Sequence, residues 1–64
     1  MERDKWKCDE VSVVLHEDIK VIHKNTKKKI DVSLDDLRIL CIEGEEITTV
    51  YNSDAWVAFG MINR

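Results

Sequence analysis

A chain of 64 residues can hide only about 60% of the surface its unfolded form exposes, so it supports one small core and one domain spanning residues 1–64. A deep, water-excluding cleft around a reacting group does not fit so small a core. Gly44 and Gly60 are the two glycines and stand far apart, so no Gly-rich phosphate loop is present. The expectation is a protein that is not an enzyme, needs no cofactor and acts through its surface. A core this small also gains from a second copy, and a homodimer is expected.

At 44% apolar and 36% charged residues, the chain is too rich in Val, Ile and Leu for a disordered tail and should fold. No apolar run approaches the ~20 residues needed to cross a bilayer. The charged start Met1–Lys5 lacks the apolar region of a signal peptide. A cytoplasmic protein is expected, in the host cell cytoplasm if it is phage-encoded. Cys8 and Cys41 are too few for a disulfide framework. Both are read as reduced, with Cys41 the core residue.

Two β-branched runs, Val11–Leu15 and Ile19–Ile22, flank the polar turn His16-Glu17-Asp18 and read as strands. After the polar stretch Asn25–Lys28, Lys29–Val32 alternates with period two, as a third strand or an extended end of the second. Ser33 then offers an N-cap oxygen, and Asp35 and Asp36 suit the positive end of a helix dipole. Leu34, Leu37, Leu40 and Cys41 make an apolar stripe that Gly44 would end, so a helix is expected here. The competing assignment is a buried strand through Leu37–Ile42. Ile47–Tyr51 and Ala55–Phe59 read as strands about the turn Asn52-Ser53-Asp54. The expected fold class is α+β, a small antiparallel sheet of order β-β-(β)-α-β-β with one helix packed on a face.

Charge is segregated along the chain. Residues 1–30 hold eight Lys/Arg and six Asp/Glu, net +2, while residues 31–54 hold seven Asp/Glu against Arg38 alone, net −6. Such an acidic segment repels phosphate and attracts a basic protein surface over about a Debye length. The alternative is that helix starts and turns simply collect carboxylates for capping and solubility. Lys24, Lys27, Lys28 and Lys29 form the opposite feature, a basic turn that could touch nucleic-acid phosphates. With no arginine or aromatic inside the cluster, it equally fits an edge-protecting hairpin turn.

His16, His23, Cys8 and Cys41 match no zinc-ligand spacing, and no metal is expected. The same four residues lack the local spacing of a nucleophile and its base. Of Trp6, Tyr51, Trp56 and Phe59, at least two are expected in the core. Trp56 and Phe59, three apart in one strand, should face opposite sides.

Two stretches, Glu10–Asp18 and Ser33–Leu40 followed by Glu45-Glu46-Ile47, resemble the short homodimeric phage-encoded inhibitors of uracil-DNA glycosylase. The first is similar to that family's first strand and acidic turn, the second to its helix and the start of the next strand. The resemblance implies a DNA mimic whose acidic helical region imitates the DNA backbone and blocks the enzyme's DNA-binding site. It places Leu37 in the pocket used by the enzyme's DNA-probing loop, with Asp35, Asp36, Glu43, Glu45 and Glu46 supplying phosphate-like charge. The chain departs from the family in having Leu37 for an aromatic, Arg38 for an acidic residue, and the extra segment Ala55–Arg64. On its spacing from Leu34 alone, Leu37 could instead be core. A different class fits the same residues as an alternative: a small SH3-like β-rich module binding nucleic acid through Lys24–Lys29. A third possibility is a phage accessory protein that binds another host factor.

Overall fold

Period-two alternation governs almost the whole chain, and in the computed structural model it yields, among the described residues, seven strands and no helix longer than one turn. The structure describes residues 3–64, so Met1 and Glu2 of the charged start lie outside it. The strands are β1 (Arg3–Cys8), β2 (Glu10–Leu15), β3 (Lys20–Lys24), β4 (Ile30–Asp35), β5 (Leu40–Glu43), β6 (Thr48–Tyr51) and β7 (Trp56–Ile62), with a 3-10 turn at His16–Asp18. They form two antiparallel sheets, of order β1-β4-β5-β6 and β3-β2-β7. The expected α+β class is therefore corrected to all-β.

Residues directly opposite in an antiparallel ladder share a face. In the first sheet Cys8 faces Ile30, and Val32 lies between Trp6 and Ile42. In the second, Val13 lies between Val21 and Phe59. The inner faces of both sheets close on one core: Cys8, Val11, Val13, Ile30, Val32, Leu40, Ile42 and Trp56 are all buried. Cys8, not Cys41, is the core cysteine, because alternation between Leu40 and Ile42 turns Cys41 to the outer face of its sheet. Both cysteines are free.

The expected helix over residues 33–43 is the β4–β5 hairpin. Asp35 does cap backbone amides as an N-cap residue would, its Oδ1 accepting from the N–H of Leu37 and of Ile39, each at 3.0 Å. The amide of Arg38 bonds the carbonyl of Asp35 at 3.1 Å, which closes a turn. Arg38 then takes the left-handed conformation, with φ of 62°, and the chain reverses instead of coiling on. Three-residue hairpin loops of this kind end on such a left-handed residue. Arg3 bonds Asp35 Oδ2 at 3.3 Å and the Ser33 hydroxyl at 3.1 Å, which ties β1 to the hairpin. Gly44, read as a left-handed helix stop, has no positive φ; a Cβ there would lie 3.2 Å from Asn25 Oδ1 and from the Ile47 carbonyl oxygen.

Trp56 and Phe59 share the inner face, against expectation. Leu15 pairs with Trp56 and Val14 with Ala58, which leaves Val57 as an extra residue, a β-bulge that resets the alternation. The two rings meet edge to face with centroids 5.6 Å apart, and Trp6 packs on Phe59 from β1 at 5.8 Å.

Asp35→Ala is expected to destabilise the fold by about 2 kcal/mol, because it strips partners from two amides and from Arg3. Asp35→Asn, which keeps an amide-capping oxygen, should cost less. Urea unfolding of the three proteins measures the difference.

Candidate functional site

Three turns meet at one end of the sandwich: His16–Ile19 after β2, Asp36–Ile39 after β4 and Asn52–Ala55 after β6. Two contacts join them. Trp56 donates its indole N–H to the carbonyl of Arg38 at 3.0 Å, with the Arg38 guanidinium 4.7 Å from its ring centroid. His16 Nε2 bonds the carbonyl oxygen of Asp54. The three turns carry Glu17, Asp18, Asp36 and Asp54, all exposed, and one cation, Arg38; Arg3, bonded to Asp35, and Lys20, next after Ile19, flank them. Among them Leu37 is 60% exposed and Ile19 is 53% exposed. Leu37 is therefore not core: it stands at the apex of a turn whose geometry Asp35 fixes.

The described non-glycine residues with positive φ are Glu17, Asp18 and Arg38, and all three lie in these turns. Left-handed backbone at a residue with a Cβ costs of order 1 kcal/mol or more and tends to collect at functional sites. Glycine would adopt these angles at no steric cost but would carry no charge.

The opposite end holds a second group of charged residues, several of which are bound within the chain. The Glu45 carboxylate accepts from the backbone N–H of Thr26 at 2.6 Å, from that of Lys27 and from the Thr26 hydroxyl at 3.2 Å. Asn25 Oδ1 in turn accepts from the Glu45 N–H at 3.1 Å. Successive backbone N–H groups aimed at one anion form a nest, and the hydrogen bond from Lys27 is the main cause holding the Glu45 carboxyl below its ordinary value. Lys24 pairs with Glu10 at 3.5 Å and Lys29 with Asp9 at 3.1 Å. Asp9 also accepts from the Arg64 amide, and this bond and Lys29 hold its carboxyl low.

Between β3 and β6 an open cleft of about 470 Å³ runs beneath Glu45, with Ile22, Ile30, Ile42 and Ile47 among its walls. His23 lines it and bonds the Tyr51 hydroxyl at 2.8 Å, linking the free edges of the two sheets. Burial pushes the His23 pKa down and that of Tyr51 up. Among the described residues no three His, Cys, Asp or Glu side chains are placed to hold a metal ion.

The six residues singled out for partner binding are thus split. Asp36 and Leu37 lie at the acidic end, with Asp35 inside its scaffold. Glu43 ends β5 and Glu45 and Glu46 follow it at the other end, and Glu45 is bound within the chain. The acidic end gains Glu17 and Asp18, which lie in the half of the sequence that is net positive. No family model, curated protein or solved structure matches this chain.

Glu45 lowers its carboxyl pKa on folding, so its stabilising effect is present above the ordinary carboxylate value of 4.5 and is lost as pH falls through the lowered folded value. Wild type is accordingly expected to be more stable than Glu45→Gln at pH 7, with the gap closing in acid; thermal unfolding across pH measures it. Glu17→Gly should raise stability by about 1 kcal/mol through relief of the left-handed strain, read in urea unfolding.

Proposed function

We propose that the chain is a protein-binding module that docks a basic partner on its acidic end, with Leu37 as the apolar anchor. The observation that carries this reading is the placement of Leu37, 60% exposed on a turn fixed by Asp35, at the end of the sandwich that also carries Asp36, Glu17, Asp18 and Asp54. An exposed apolar side chain rimmed by polar residues is the kind of anchor on which interfaces concentrate their energy. The carboxylates steer the encounter and set its salt dependence.

In its finer form, the module occupies the DNA-binding site of a uracil-DNA glycosylase by DNA mimicry and inhibits the enzyme stoichiometrically. That form rests on the sequence resemblance, whose helical stretch is here a hairpin, and it keeps Leu37 and Asp36 as the matching residues. It is tested by uracil excision in the presence of a large molar excess of the purified chain; undiminished excision sinks it. The broader reading is tested by retention of basic DNA-processing proteins on the immobilised chain. Leu37→Asp should weaken retention at least about tenfold while leaving thermal unfolding unchanged, because Leu37 is exposed. The all-β fold also suits the alternative of a nucleic-acid-binding module, although Lys24 and Lys29 are ion-paired. Salt-sensitive retention on DNA that is lost when Lys27 and Lys28 become Gln would replace the acidic-end reading with that one.

A further inference from the structure

We propose that β7 is a pairing edge for a second copy of this chain, the two β7 strands joining antiparallel about a two-fold axis into one six-stranded sheet. The strand orders leave four free edges: β1, β6, β3 and β7. Unpaired edges invite pairing, and cationic side chains are a standard block against it. β1 carries Arg3, Lys5 and Lys7, and β3 carries Lys20 and Lys24. β6 is uncharged but only 4 residues long, and its Tyr51 is tied across to His23 on β3.

β7 differs from all three. Its 7 residues, Trp-Val-Ala-Phe-Gly-Met-Ile, include no charge, yet Trp56 alone is buried. Val57 is 53%, Met61 36% and Ile62 45% exposed. A long, uncharged and largely exposed edge strand is an aggregation hazard unless something pairs with it.

Charge argues that the occupant is a second copy. About a two-fold axis, β7 opposes only itself, so every cross-strand pair is uncharged. Self-pairing of β1 or β3 would instead crowd lysines together, which is destabilising. Ala58 and Gly60 lie on the outer face near the middle of the strand, and a Cβ built on Gly60 would meet nothing within 4 Å. The glycine is thus not required by packing within one chain. The isologous contact extends the β3-β2-β7 sheet continuously and enlarges the buried surface of a chain whose core is small.

Sedimentation of the full chain over a range of concentrations tests the proposal. The expected result is a species of twice 7.5 kDa for wild type and a monomer for the double variant Ala58→Lys, Gly60→Lys, with the fluorescence of Trp6 and Trp56 unchanged. If the double variant loses that signal, Val57→Lys at the bulge replaces it, with the same expectation. Val50→Lys on the β6 edge should leave the dimer intact. A wild-type monomer at every concentration overturns the proposal, as does a dimer that Val50→Lys dissociates and the β7 variants do not.

Discussion

The carboxylate of Asp35 decides the course of the chain. One oxygen takes the amides of Leu37 and Ile39, the other takes Arg3, and the chain reverses over Asp36, Leu37 and Arg38. The reversal brings Leu40 opposite Leu34 and Ile42 opposite Val32, which completes the core wall of the first sheet. It also presents the Arg38 carbonyl to the Trp56 indole, so the same turn anchors the ring that closes one end of the core. β7 begins at that ring, and the bulge at Val57 lets Phe59 follow it inward. A helix through this stretch would leave β6 without the neighbour it pairs with.

Charge in the sequence and charge in space tell different stories. The net −6 of residues 31–54 suggests one acidic face, but β5 carries the chain from one end of the sandwich towards the other and divides it. Glu45 is held by the backbone of the lysine turn, which takes one carboxylate out of the acidic segment. Glu43 and Glu46 stay exposed at that end, while half of the exposed carboxylates of the three converging turns, Glu17 and Asp18, come from a segment with positive net charge. Association depends on the field of the assembled surface, and only the fold assembles it.

Much of the strand content was legible because Val, Ile and Thr cluster in short runs bounded by polar turns. The helix was misread for a chemical reason. A Ser/Asp oxygen that caps amides two or more residues on serves equally at a helix start and in a tight hairpin turn, and Leu34, Leu37, Leu40 and Cys41 meet the helical spacing by coincidence. Leu34 and Leu40 do face inward, but across a hairpin. β1 is masked in the sequence because Lys5 and Lys7 alternate with Trp6 and Cys8, whose period-two spacing is its one signal. The bulge left no local mark, so the shared face of Trp56 and Phe59 depended on pairing with β2. Cys41, set between Leu40 and Ile42, looked buried by neighbourhood and is turned outward by alternation. For the candidate site, Leu37 and Asp36 were readable and their distant companions were not.

The two ends of the sandwich solve their tight turns with different residues, and the difference has energetic content. At the lysine end the close approach is made by Gly44 and Asn25, residue types that fit such places cheaply. At the acidic end the left-handed positions are held by Glu17, Asp18 and Arg38, each at a cost of order 1 kcal/mol or more. A 64-residue domain has a net stability of about 3–10 kcal/mol, so this strain is a large fraction of the whole. Glycine at those positions would relieve the strain and remove two carboxylates and the guanidinium stacked on Trp56. The charged groups of the acidic end are thus held in place at an energetic cost that the lysine end does not bear.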